Sequence, residues 1–496
     1  MDFTLNFPLF AIILSLICSV VSSLLDEKKA KWLSLILTSL VFAASCALIT
    51  TIIRLGSAQT YLMGHFTAPW GNELRFGILE PLFMAIFSAV ILLCLIGGQK
   101  QLEKLSRPQK RNLYFSMIDL VIASLIVLTH TNDIFTGYVF IEVCMLSSCG
   151  ILIIRKNGKT IAAATRYMIF SLLGSGLFLF GVIILYGITG HLLMPNLKTA
   201  VASIWESGQY VRQLIVSMIM ITVGLAIKSG MFPFYYWMPD TYGTAPSGTA
   251  GILSGVISKG YVILLIKIIF CVFGADIFYA SGVQDVLYMF GAAGVILGSV
   301  SAIREKSIGR MIAFSSAAQM GYIYMGIGIS PQTGMIAALL HIASHAVTKP
   351  LLFLSSSGLS AVSGRKGDLE RLKGSAFRNP AAGVGFVIGA LSMVGIPGFV
   401  GFISKLLFAY AALEEPRIML VTLIVLAVST ILNSVYFLGT MVNIYTPTVS
   451  SYGTMRVRQA RRFFFSIAAF SALNVLFGLW SKPLTDILQA GLSMMG

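Results

Sequence analysis

ITVGLAIKSGMFPFYYWMP, residues 221–239, decides how this chain is read. Its first half is an apolar run that ends at Lys228. Its second half carries Ser-Gly-Met-Phe-Pro, a stretch that breaks a helix. A bilayer tolerates a bare lysine at such cost that an ammonium there normally faces protein or trapped water and has a role. Four further ionisable residues fall inside other apolar runs: Glu142, Lys259, His341 and Lys405. Together they read as a line of proton-exchanging groups across a membrane protein.

Composition agrees. Of the 496 residues, 57% are apolar and only 11% charged, and the mean hydropathy of +0.87 is far above that of a soluble globular domain. About fourteen apolar runs are long enough to span: 8–25, 32–53, 80–97, 113–130, 134–154, 163–188, 211–231, 246–273, 286–302, 308–329, 333–358, 382–411, 418–445 and 463–481. The first run is followed, not preceded, by positive charge, so it reads as the first span and not as a cleaved signal peptide. The fold class expected is an all-α polytopic membrane protein.

The net charge of +16 invites a nucleic-acid partner, but its distribution refutes one. Of 35 Lys and Arg, 24 lie in alternate loops (26–32, 98–112, 155–166, 303–310, 359–380 and 446–462) and six in the opposite set. This is the positive-inside pattern; it places both termini outside a plasma (inner) membrane, with lipids as neighbours. The loop 232–245 should also lie inside, yet it has no Lys or Arg, so it is expected to fold back into the protein.

No loop is long enough to make a soluble domain, and no P-loop, dinucleotide fingerprint or cysteine-rich cluster appears. Neither a cofactor nor a metal is expected, and an ion gradient or partner subunits must supply the energy. The six cysteines all sit in apolar runs and read as small packing residues. Two segments look alike: 221–234 and 391–405 each join an apolar run, a Gly/Pro break and a lysine. Paired interrupted helices point to an inverted repeat with the ion path at the breaks. The division expected is 1–112 (spans 1–3), 113–273 (first repeat, spans 4–8), 286–445 (second repeat, spans 9–13) and 446–496 (span 14), with spans 7 and 12 broken.

Each ionisable residue has a plainer reading. Glu142 is a neutral structural carboxyl, or a charged partner for a nearby lysine. Lys228 is a snorkelling anchor, or an ammonium held in protein, where loss of water eases release of its proton. Lys259 sits mid-span after a Gly/Ser-rich stretch that lets helices approach closely. Lys267, nearer the outer end, reads as a snorkelling residue. His341, His345 and Lys349 recur at four-residue spacing and share one helix face. A zinc pair would need a third ligand and none is adjacent, so a proton relay fits better. Lys405 follows the second break. Asp119 pairs a basic loop residue or lines a cation entry path.

These residues also carry a resemblance. NDIFTGYVFIEVCMLSS (132–148), GLAIKSGMFPFYYWMPD (224–240), APSGTAGILSGVISKGY (245–261), FSSAAQMGYI (314–323), LLHIASHAVTKPLLFL (339–354) and GIPGFVGFISKLLF (395–408) resemble the antiporter-like subunits shared by Mrp-type cation/proton antiporters, respiratory complex I and membrane-bound group 4 hydrogenases. The resemblance implies a Glu142–Lys228 ion pair, a central relay through Lys259 and His341, an exit lysine at Lys405, and inverted five-helix repeats. His345, Lys349 and Asp119 remain further relay candidates. The resemblance also implies other membrane subunits as partners, with H⁺ and Na⁺ as the ions. Tyr235 looks like an Mrp D subunit, whereas SSAAQMGY looks like the complex I or hydrogenase relatives. Lys405 excludes the paralogue with glutamate there, and the short C-terminal stretch excludes the largest paralogue. The function expected is a proton/cation-translocating subunit most like an Mrp D subunit. Its alternatives are the same unit in a redox-driven hydrogenase or NADH:quinone oxidoreductase, and a stand-alone transporter. This chain itself holds no redox site.

Overall fold

The computed structural model describes residues 3–66, 71–155, 157–364, 367–447 and 460–495. Of the residues behind the charge asymmetry, Lys156, Arg365, Lys366, Arg456 and Arg458 lie outside these. The chain opens with α1 (Phe7–Leu24) and α2 (Glu27–Leu55). A small hairpin then departs from the expected all-helical chain: β1 (Gln59–Leu62) pairs antiparallel with β2 (Glu73–Phe76). After it come α3 (Leu79–Leu105), α4 (Arg111–His130), α5 (Ile134–Ile153), α6 (Gly158–Thr189) and the short α7 (Met194–Ser207).

The seventh span is split into α8 (Val211–Ser229) and α9 (Trp237–Thr244). Gly230 ends α8 in the left-handed region, with φ of 81°, and its N–H returns to the Ala226 carbonyl. That conformation strains any residue with a Cβ, so glycine sets the break. The chain beyond does fold back: Tyr235, Trp237, Met238 and Tyr242 are buried. The eighth span is α10 (Ser247–Ile252), a π-turn at Leu253–Ile257, α11 (Ser258–Ile268) and a second π-turn at Ile269–Phe273.

The short α12 (Ala275–Ala280) leads into α13 (Val283–Arg304), α14 (Ile308–Ile329) and α15 (Thr333–Val362). After α16 (Ser375–Arg378), the twelfth span is split like the seventh, into α17 (Pro380–Val394) and α18 (Val400–Leu413). Gly395, with φ of 93°, returns its N–H to Leu391 as Gly230 does to Ala226. Then come α19 (Pro416–Tyr445), α20 (Arg461–Leu479) and the amphipathic α21 (Ser481–Ser493).

Each of the fourteen expected spans therefore finds a helix or a broken pair. Twelve are long and apolar enough by themselves to cross a membrane among the described residues. Helix α14 and the pair α17–α18 account for the other two. The breaks fall in the fourth span of each five-span run. Burial separates core from rim: the apolar 18-residue stretch of the eighth span is wholly buried and that of α15 is 94% buried, whereas that of α19 is 28% buried. Outward faces of α1, α2, α6 and α19 carry exposed Ile, Leu, Val and Phe side chains, as lipid-facing helices do. This is a multi-pass membrane protein.

Candidate functional site

The two enclosed spans hold the central ionisable residues. Gly251 and Gly255 let them meet: a Cβ at Gly255 would lie 2.9 Å from Pro350 and 3.0 Å from the Ala346 carbonyl of α15. The π-turn matters chemically. It disturbs the helical hydrogen-bond ladder, and the Ser254 carbonyl within it accepts from the Lys259 ammonium at 2.5 Å. Ser258 Oγ is a second acceptor at 3.1 Å. Lys259 is completely buried and has no carboxylate partner among the described residues.

At one end of the row, the Lys228 ammonium lies 3.3 Å from Glu142 Oε1 and donates to Ser171 Oγ at 2.9 Å. Ser175 Oγ donates to the same carboxylate oxygen. The ammonium also sits 5.5 Å from the Tyr261 ring, two residues beyond Lys259. Gly174 and Gly224 bring α6 and α8 into backbone contact, which places the serines of α6 within reach. Lys228 is fully buried, so it does not snorkel; Glu142 keeps 23% exposure on the flank of α5.

In the other half, His341 is held at both ring nitrogens, with Nδ1 3.0 Å from Ser404 Oγ and Nε2 3.0 Å from Gln319 Oε1. Its ring lies 5.2 Å from that of Tyr322, and the Lys405 ammonium lies 5.6 Å from the same Tyr322 ring. Lys405 donates to the Val394 carbonyl at 2.8 Å and to Thr430 Oγ1 at 3.3 Å. Lys349 donates to Ser315 Oγ at 2.5 Å and to the Ile312 carbonyl at 3.2 Å. His345 sits between the halves, 6.5 Å from the His341 ring and within electrostatic reach of Lys259 and Lys349. Neither of its ring nitrogens has a protein partner among the described residues, so it is not a satisfied core histidine.

The structure thus places Lys228, Lys259, His341, His345 and Lys349 in the buried interior, with Glu142 and Lys405, both partly exposed, at the two ends of the row. It does not bring Asp119 there: that residue lies among α1, α2 and α4 and pairs with no basic loop residue among those described. The reading of Lys267 as a snorkelling side chain is wrong. Lys267 is fully buried, 3.3 Å from the equally buried Glu80, and donates to the carbonyls of Arg75 at 2.8 Å and Thr129 at 3.0 Å. Its pull inward comes from a partner on α3, far away in sequence. Sequence reasoning also missed Ser171, Tyr261, Gln319 and Tyr322, which are uncharged and stand out only once their neighbours are known. Ser404 alone had a signal, its place beside Lys405.

Asp240 closes the side of the fold carrying the basic loops. It takes Arg166 of α6 and Arg310 of α14, and Arg310 also contacts Glu305 at 3.0 Å. The loop without basic residues is therefore served by arginines from its neighbours.

The family described as NADH:quinone oxidoreductase/Mrp antiporter, TM, matches residues 131–432, which contain the whole row. The chain is 30% identical over 487 residues to the N subunit of the NADH-quinone oxidoreductase of Desulforudis audaxviator, covering 95% of this chain and 94% of that one. It is 24% identical over 445 residues to the D subunit of the Na(+)/H(+) antiporter of Bacillus subtilis, covering 88% and 87%. The fold matches a chain of the archaeal membrane-bound sulfane sulfur reductase with a TM-score of 0.89 at 22% identity, over 99% of this chain and 98% of that one. The chain belongs to the NADH:quinone oxidoreductase/Mrp antiporter family of membrane subunits.

Proposed function

We propose that this chain is the proton- and cation-translocating subunit of a multisubunit membrane complex, most like the D subunit of an Mrp-type Na⁺/H⁺ antiporter. The observation that carries this is the buried row itself: four lysines and two histidines inside the fold, with one carboxylate, Glu142, at one end. A purely structural core would pair such charges, because unpaired buried charge is expensive. Groups that bind and release protons in turn have a reason to remain unpaired.

The mechanism is electrostatic. Glu142 holds the Lys228 ammonium charged. When the two separate, Lys228 loses that support and its proton passes inward toward Lys259. At 4 Å and an effective dielectric of 20, a unit charge pair is worth about 4 kcal/mol, several times thermal energy. His345 and His341 carry the proton between the halves, and Lys405 exchanges it at the far end. Water completes the links that side chains do not span, and the His345 nitrogens are places for it.

Partner subunits follow from the two ends of the row. Glu142 is partly exposed on a flank that would otherwise meet lipid, and Lys405 is half-buried. A charge facing hydrocarbon is costly; neighbouring membrane subunits would cover both ends. The basic-loop side faces the cytoplasm by the charge rule, which puts both termini outside the plasma (inner) membrane. The repeats are residues 113–273 and 286–445, each built around its broken fourth span.

A second reading has its own support. The 30% identity to an NADH-quinone oxidoreductase N subunit across 95% of the chain favours the same ion-moving unit in a redox-driven complex. The chain would then be one part of a translocase whose redox chemistry lies in other subunits. Purification at native level, with identification of the co-purifying chains, separates the readings. Small antiporter subunits support the first, and quinone-module or hydrogenase subunits the second. Full ion transport by the single polypeptide in vesicles would overturn both.

A further inference from the structure

Asp119 is the one fully buried carboxylate of the described residues that neither reading uses and no base neutralises. It stands two turns into α4, where α1 and α2 pack against it. Ser22 Oγ of α1 donates to Asp119 Oδ2 at 2.7 Å. The Ser34 hydroxyl of α2 faces the same carboxylate and also lies 3.4 Å from the Phe115 carbonyl. Beside them the hydroxyls of Ser19 and Ser116 lie 3.1 Å apart. Asp119 Oδ1 is buried and has no hydrogen-bond partner among the described residues. Of the basic groups at this end of the three helices, Arg111 is committed to Glu27 at 3.0 Å, and Lys28, Lys29, Lys31 and Lys110 form no ion pair with Asp119 among the described residues.

A sealed carboxylate without a basic partner must be neutralised by a proton or by a bound cation. Apart from the Cys18 thiol, the surrounding groups are hard oxygens: two carboxylate atoms, the hydroxyls of Ser22 and Ser34 with those of Ser19 and Ser116 nearby, and a backbone carbonyl. One negative charge matches a monovalent ion, since sites for divalent cations use more anionic ligands or keep water. These oxygens stand in hydrogen-bond contact, 2.7–3.4 Å apart, so only a small ion could enter, by taking the place of the hydroxyl protons between them. We propose that Asp119, the hydroxyls of Ser22 and Ser34 and the Phe115 carbonyl form a Na⁺ site at the junction of α1, α2 and α4, where Na⁺ and a proton compete for one carboxylate. Binding of Na⁺ to the carboxyl form releases the proton, so charge and atoms balance. The groups facing Asp119 are Cys18, Ser19 and Ser22 of α1, Ser34 of α2 and Ser116 of α4; of these Cys18 alone titrates.

A role in transport rests on the ion-translocating reading, but Na⁺ binding does not. The test is thermal unfolding of the purified complex while NaCl replaces choline chloride at constant ionic strength. The native complex should gain stability with Na⁺, as any ligand of the folded state confers. Its half-saturating Na⁺ concentration should rise about tenfold per pH unit lost where the carboxyl is protonated, as one-for-one exchange requires. Asp119→Asn should abolish the Na⁺ effect, and Ser22→Ala, which keeps the carboxylate, should weaken it. An equal Na⁺ effect in native and Asp119→Asn complexes, a pH-independent one, or none in the native complex overturns the site. If Asp119→Asn fails to assemble, an undiminished effect in Ser22→Ala does the same. Proton transport by the same preparations is a separate readout: a Na⁺ effect without transport overturns the functional reading and leaves the site standing.

Discussion

The Lys405 ammonium donates to the Val394 carbonyl, the last residue of α17, across the break that separates them in the chain. Lys228, by contrast, stands in the last turn of α8, before its own break. The two lysines are thus on opposite sides of their glycines in sequence. The Lys405 ammonium ends at the C-terminus of a half-helix, where free carbonyls and the helix dipole favour positive charge without a carboxylate. The Lys228 ammonium is held instead by Glu142 and Ser171 on neighbouring helices. The two lysines are alike in lying next to a break, and they differ in what holds their charge.

Lys405 is therefore expected to work by proton release. Lys405→Arg keeps a charge near Val394 but cannot deprotonate, because guanidinium stays charged in proteins. Lys405→Ala removes both properties. Both variants should assemble and lose ion transport in vesicles. Near-normal transport by the arginine variant would sink the relay role.

Glu142 and Lys228 are expected to act as one unit. Removing either leaves the other uncompensated, with Ser171 and Ser175 as the remaining partners. Glu142→Ala and Lys228→Ala should each abolish transport, and the double variant should be no worse than either alone. A double-variant loss equal to the product of the single losses would show independent action.

Orientation is checked from the surface. Arg107 and Lys373 are exposed on the side with the basic loops, and Ser57 is exposed beside the hairpin. In intact cells a membrane-impermeant thiol reagent should modify Ser57→Cys, and should reach Arg107→Cys or Lys373→Cys only after the cytoplasmic side is opened. The reverse pattern would invert the map.

Much of this fold was legible because hydrophobic runs must match bilayer thickness and because Gly and Pro mark breaks. Glu142, Lys228, Lys259 and Lys405 were legible for a related reason: a charge in an apolar run has few innocent explanations. What periodicity could not show was pairing at a distance. Nothing near Lys267 announces Glu80, and nothing in residues 253–257 announces a π-turn that presents the Ser254 carbonyl to Lys259. Gln319 and Tyr322 are uncharged and ordinary until α14 packs beside α15, where they contact His341.

The Glu80–Lys267 pair is expected to serve stability more than transport. Both side chains are fully buried, and Lys267 also ties the Arg75 and Thr129 carbonyls to the eighth span. Arg75 in turn holds the Met494 carbonyl at 2.5 Å, so the pair anchors the hairpin and the end of the chain together. Lys267→Met strands the Glu80 carboxylate; breaking a buried pair on one side costs about 3–5 kcal/mol. The purified complex should melt markedly earlier. Adding Glu80→Gln should recover part of the loss, because a neutral amide no longer needs the ammonium. Molecules that remain folded should transport at close to the native rate per complex. Loss of transport in the double variant at normal thermal stability would instead place Lys267 on the ion path, as an extension of the row beyond Lys259.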